Sequence, residues 1–116
     1  MSTTKFLYLY RSPANAPSKP PSPEQLQAMF AAWTAWKTKF DDEIIDMGDA
    51  LKATGGAVYK AGIVTDGPFI EAKEIMGGYS IVQTASLARA VEIAKACPMN
   101  EIPGASIEVR ELAGYE

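Results

Sequence analysis

Two helical stretches separated by extended runs give this chain the order β-α-β-β-α-β, and few folds accept that order in one short domain. Lys5 to Arg11 reads as the first strand. Phe6, Tyr8 and Tyr10 alternate there with Leu7 and Leu9, so both faces are apolar and both are expected to be covered. The proline-rich run from Ser12 to Pro21 suits a connector better than a flap over a site. Ser22-Pro23-Glu24-Gln25 supplies an N-cap, a first-turn proline and a capping box. Leu26, Met29, Phe30, Trp33, Trp36, Phe40 and Ile44 then recur at helical spacing and carry the helix towards Met47, with Gly48 as its stop.

Leu51 to Thr65 has a strand pattern, with Gly55-Gly56 and Gly62 as bulges or turns inside it. A strand from Gly78 to Thr84 follows, then a helix capped by Ser86, with Leu87, Ala90, Val91 and Ala94 on one face. Cys97-Pro98 ends it, and Ala105 to Leu112 is the last strand. This is an α+β domain of ferredoxin-like βαββαβ type, an antiparallel sheet with helices on one face. Two helices cover one side of four strands, so a second copy is expected on the other.

At 116 residues the whole chain, 1–116, is one domain. A net charge of −3 and a pI near 5.0 argue against nucleic acid as a partner, because phosphate binding needs a basic patch. No apolar run approaches the roughly 20 residues that span a bilayer, and the first residues do not resemble a leader, so a cytoplasmic protein without membrane contact is expected. The chain has no histidine and one cysteine, Cys97. That removes histidine bases, Ser-His and Cys-His pairs and an ordinary zinc site. No metal and no cofactor is implied. Cys97, before a proline and without a base beside it, reads as a buried inert thiol.

The most specific string runs from Val64 to Tyr79: Asp66-Gly67-Pro68-Phe69, the charged Glu71-Ala72-Lys73-Glu74, then Gly77-Gly78-Tyr79. It resembles the signature of the YCII-related proteins, in particular their DGPF subgroup. That resemblance implies a homodimeric α+β barrel in which the Asp66 to Gly77 segment joins the second and third strands at one barrel end. It implies no general activity, and the subgroup's labels connect it only loosely to sigma factors. A His-Asp pair proposed for some relatives cannot operate here. Gly77-Gly78 suits a sharp strand entry or a close backbone approach, and lacks the context of a phosphate loop.

Asp66 has two readings: a carboxylate at a cleft mouth with Phe69 and Tyr79 as walls, or the cap of its own turn, which is favoured. Glu71, Lys73 and Glu74 read as a solvated or intersubunit ion cluster. If Leu7, Leu9, Ile107 and Val109 face the helices, alternation puts Tyr8, Tyr10, Glu108 and Arg110 inside the barrel. These could form a polar pocket, or Arg110 could simply pair Glu108. The expected ligand-lining set is therefore Tyr8, Tyr10, Asp66, Phe69, Tyr79 and Arg110. Whether the protein is an enzyme is undecided; any acid-base group would be Asp66 or Glu108, with burial raising its pKa. A small polar ligand in a cleft between sheet and partner is the leading expectation. A protein partner, engaged through the acidic Asp41 to Asp46 run or the signature loop, is the alternative.

Overall fold

The computed structural model describes residues 3–13, 21–52, 55–67 and 74–114. Its main sheet is antiparallel and contains β1 (Thr4–Pro13), β2 (Ile44–Asp46), β5 (Glu74–Thr84) and β6 (Ser106–Glu111) in the order β2-β5-β1-β6. Two helices, α1 (Pro23–Lys39) and α2 (Leu87–Lys95), contribute to one core with this sheet. Among the described residues of the single chain the sheet is open, with β2 and β6 at its edges, and closes no barrel. Among the described residues no helix is long and apolar enough to cross a membrane.

Helix α1 begins where its capping sequence directs. The Gln25 N–H donates to Ser22 Oγ at 3.1 Å, and the Ser22 N–H donates back to Gln25 Oε1 at 2.8 Å. Its end departs from the expected Met47, because the helix stops at Lys39. Continuing it would place Asp41, Asp42 and Glu43 against the negative end of the macrodipole. The chain turns instead, Lys37 Nζ reaches Asp41 Oδ1 and the Ile44 carbonyl at 2.8 and 2.9 Å, and Ile44 enters the sheet opposite Val82.

The Leu51–Thr65 strand is likewise corrected. The second strand of the main sheet is Ile44–Asp46. Residues 56–67 form a separate hairpin, β3 (Gly56–Lys60) with β4 (Ile63–Gly67). The turn between them has positive φ at Ala61 and Gly62, 51° and 84°, the backbone twist that a two-residue hairpin loop requires. In α2 the buried residues are Ala90, Ile93 and Ala94, while Leu87 and Val91 face outward.

Segment 48–51 runs against β5. Leu51 N–H donates to the Gly77 carbonyl at 2.8 Å and Tyr79 N–H to the Asp49 carbonyl at 3.3 Å. Gly77 is the extra residue of a bulge, since Tyr10 faces Gly78 and Arg11 faces Met76. A Cβ on Gly78 would lie 2.9 Å from the Asp49 carbonyl oxygen, so the close approach expected of this glycine pair is real.

The core joins Phe6, Tyr8 and Tyr10 of β1 to Trp36, Phe40, Ile44, Val82, Ile93 and Cys97. Its polar atoms are internally bonded. Tyr8 Oη donates to the Ala90 carbonyl, Trp36 Nε1 donates to the Ile93 carbonyl at 3.0 Å, and Tyr10 Oη donates to Ser80 Oγ at 2.7 Å. Ser80 in turn donates to the Met47 carbonyl at 2.7 Å. Burial pushes the Cys97 thiol up to about 11, as the inert reading requires.

An ionic clasp fastens α2 to the turn after α1. Arg89 Nε and Nη2 reach Glu43 Oε2 and Oε1 at 3.0 and 2.8 Å, and Thr84 Oγ1 donates to Oε2 at 2.5 Å. The Arg89 hydrogen bonds, with help from Thr84, hold the Glu43 carboxyl below the usual carboxylate range. A lowered folded-state pKa contributes stability above the unfolded value of about 4.3, lost as pH falls through the folded value. Glu43→Gln should therefore cost about 1–2 kcal/mol at pH 7 in urea unfolding, and much less at pH 3. An equal cost at both pH values would show that the charge is irrelevant.

Candidate functional site

Strand parity decides which residues can share a site. Tyr8 lies opposite Val109 and Tyr10 opposite Ile107, and all four face the helices. The expectation that Tyr8 and Tyr10 share a face with Glu108 and Arg110 is therefore corrected. Leu9 is the partner of Glu108 and Leu7 that of Arg110. Both faces of β1 are apolar, so parity was ambiguous in the sequence. The aromatic set took the core because its hydroxyls meet buried acceptors there.

The helix-free face is built in rows across three strands. Tyr79, Leu9 and Glu108 form one row, Ile81, Leu7 and Arg110 the next, and Gln83 and Lys5 the third. Three expected residues thus meet here: Tyr79, Glu108 and Arg110. Asp66 lies elsewhere, on β4 opposite Ala57, and its side chain and all of Phe69 fall outside the described residues. So do Glu71 and Lys73 of the signature.

Sequence reasoning missed Leu7, Leu9 and Arg11 as members of this face; the odd-numbered alternation along β1 was the signal. Arg11 Nε and Nη2 approach Glu108 Oε1 at 3.2 and 3.1 Å, and Arg110 Nη1 approaches Oε2 at 3.3 Å. One carboxylate between two guanidiniums leaves a net positive charge beside an apolar strip. Arg11 first, then Arg110, hold the Glu108 carboxyl below the usual range. This is opposite to the raised value expected of it: Glu108 is ionised at neutral pH, suited to orienting guanidiniums and not to donating a proton. At the end of the same strands lies a polar hollow of about 610 Å³ lined by Thr3, Thr4, Lys5, Gln83, Glu111 and Leu112.

The helix side offers a different cavity, about 670 Å³ between α1 and the turn after α2. Its described wall is mostly apolar, with Met29, Ala32, Trp33, Pro98 and Ile102, and among the described residues Glu101 is its one charged group. Among the described residues no group of three His, Cys, Asp or Glu side chains could hold a metal ion.

The YCII-related domain matches residues 6–113, nearly the whole chain. The chain belongs to the YCII-related family. No curated protein matches it. In this YCII-related chain the matched span takes in the open sheet face from Phe6 to Glu111 and the hairpin between its strands.

Proposed function

We propose that this YCII-related protein, of the DGPF subgroup, is a cytoplasmic homodimer that binds a small polar molecule between its open sheet face and the partner subunit. The β6-β1-β5-β2 order supports a ferredoxin-like reading of the sheet, with a hairpin inserted before its third strand, and two such sheets face to face would make a dimeric α+β barrel. The carrying observation is the Arg11–Glu108–Arg110 cluster beside Leu7, Leu9, Tyr79 and Ile81: a cationic end next to an apolar wall. This pairing favours a ligand with an anionic group and an apolar body.

A thermal-shift screen against a metabolite library tests the reading. A ligand at 100 times its Kd should stabilise by about 2.7 kcal/mol. Arg110→Ala should weaken such a hit tenfold or more while leaving the unliganded protein's stability within about 0.5 kcal/mol, since Arg110 is largely exposed. A hit that binds the variant equally well would place the pocket elsewhere.

A protein-interaction role linked to sigma-factor regulation is favoured by one observation: Asp41, Asp42 and Asp46 are all exposed beside the β2 edge. Salt-sensitive capture of a basic protein, lost in a variant with these aspartates changed to asparagine, would support it. An enzymatic role through carboxylates rests on Asp66, with ionised Glu108 fitting an electrostatic part.

A further inference from the structure

The register of the helix-free face places two opposite charges at the ends of one apolar row. Arg110 on β6 lies opposite Leu7 on β1, Leu7 opposite Ile81 on β5, and Ile81 opposite Asp46 on β2. Directly opposed residues share a face, so the row reads cation, leucine, isoleucine, carboxylate across all four strands. It spans three inter-strand spacings, about 14 Å between its ends. The two charges are not spent on each other: Arg110 is bonded to Glu108, and Asp46 to the Gly48 N–H.

Both ends keep capacity for a ligand. Among the described residues Arg110 touches Glu108 through Nη1 alone, at 3.3 Å, and its side chain is 67% exposed. Its Nε–Nη2 edge can therefore take a carboxylate in a bidentate fork. Asp46 is exposed, and its Oδ1 accepts from the Gly48 N–H at 2.7 Å, which steadies the carboxylate and leaves Oδ2 for a second donor. Leu7 and Ile81 between them are half-buried, while Lys5, one row along, is already engaged.

This order of charges selects among anionic amphiphiles. One carboxylate satisfies Arg110. A second negative charge beside the first would meet Glu108, and one at the far end of the molecule would meet Asp46, so a dianion is repelled at either position. An ammonium or hydroxyl at the far end finds an acceptor in Asp46 instead. With half a spacing at each end taken up by side chains reaching inward, the ligand's polar ends lie about 10 Å apart.

We propose that the open face takes a monocarboxylate with a hydrogen-bond donor at its far end: the carboxylate on Arg110, the apolar body over Leu7 and Ile81, the donor on Asp46. This rests on the ligand reading above and adds the ligand's charge, its length and its second anchor. Asp46 is then a specificity-determining residue, and it acts by admitting a donor and repelling a second acid.

The test uses the full chain with ¹³C-labelled methyl groups at low ionic strength, where exposed charges are least screened. Aminooctanoate, whose two ends are about as far apart as the row requires, is titrated beside octanedioate, which differs in charge at the far end. Shifts of the Leu7 and Ile81 methyl signals give each Kd. In the wild type aminooctanoate should bind at least tenfold more tightly than octanedioate. In Asp46→Asn, which keeps the Oδ1 acceptor for Gly48, that gap should shrink below threefold. Arg110→Ala should weaken aminooctanoate tenfold or more. If neither acid moves these methyl signals at millimolar concentration, the anionic-ligand reading of the face falls and the row assignment with it. If both acids bind in an Arg110-dependent way but equally well, or the gap survives in Asp46→Asn, the role of Asp46 alone is overturned. Shifts confined to methyl groups away from Leu7 and Ile81 would put the acids elsewhere and overturn the row as well.

Discussion

Gly48→Ala should lose about 4 kcal/mol or more of stability, enough to leave much of the protein unfolded. Gly48 has φ +68°, and a Cβ there would sit 1.8 Å from the Tyr79 carbonyl oxygen and 2.7 Å from its carbon. The left-handed conformation alone costs a side chain about 1–2 kcal/mol. The rest comes from β5: relieving the clash means moving a backbone that Tyr79 shares with the Leu9 ladder and with the Asp49 carbonyl. Gly55→Ala is the matched control, since φ there is +87° but nothing lies within 4 Å. Urea unfolding of both variants separates the conformational cost from the clash. If Gly48→Ala is no worse than Gly55→Ala, the close approach of segment 48–51 to β5 is wrong.

Trp36→Ala should cost about 3–5 kcal/mol. Trp36 is the one residue of α1 that is fully buried, touching Tyr8 and Trp33 at ring-centroid distances of 6.3 and 5.6 Å. Its indole N–H also donates to the Ile93 carbonyl, which the Ala96 N–H reaches at 3.2 Å as well, so truncation opens a cavity and removes one of the two donors to that acceptor on α2. Trp36→Phe keeps most of the volume and loses the donor, and should cost about 1–3 kcal/mol. A small loss for Trp36→Ala in a denaturant titration would mean that α1 is held to the body by something else.

Local chemistry was legible where partners are close in sequence. Ser22 and Gln25 announce the start of α1 because the capping box closes within three residues. The end of α1 was not legible, since Phe40 and Ile44 prolong the helical spacing, while the residue that captures Glu43 is Arg89, far along the chain. The hairpin reads in the sequence as part of one long strand, because the apolar pattern on either side of Ala61-Gly62 shows no break in period. The helix-free face was half legible: Glu108 and Arg110 were assigned to it, but β1 offers two apolar faces, and only the register with β6 says that Leu7 and Leu9 join them. Glu108's expected protonation failed for a related reason, since its neighbour Arg11 is brought to it across the sheet.

The ring cluster in the core sets what light can report about this molecule. Both tryptophans of the chain, Trp33 and Trp36, stand nearly perpendicular, 86° apart, with Tyr10 edge-on to one and Tyr8 tilted over the other. All indole emission therefore originates from a single spot under α1, on the far side of the sheet from Arg110. Unfolding will change that emission strongly. A molecule docked on the open face will leave it nearly unaltered, so a fluorescence titration would pass over a ligand that calorimetry detects.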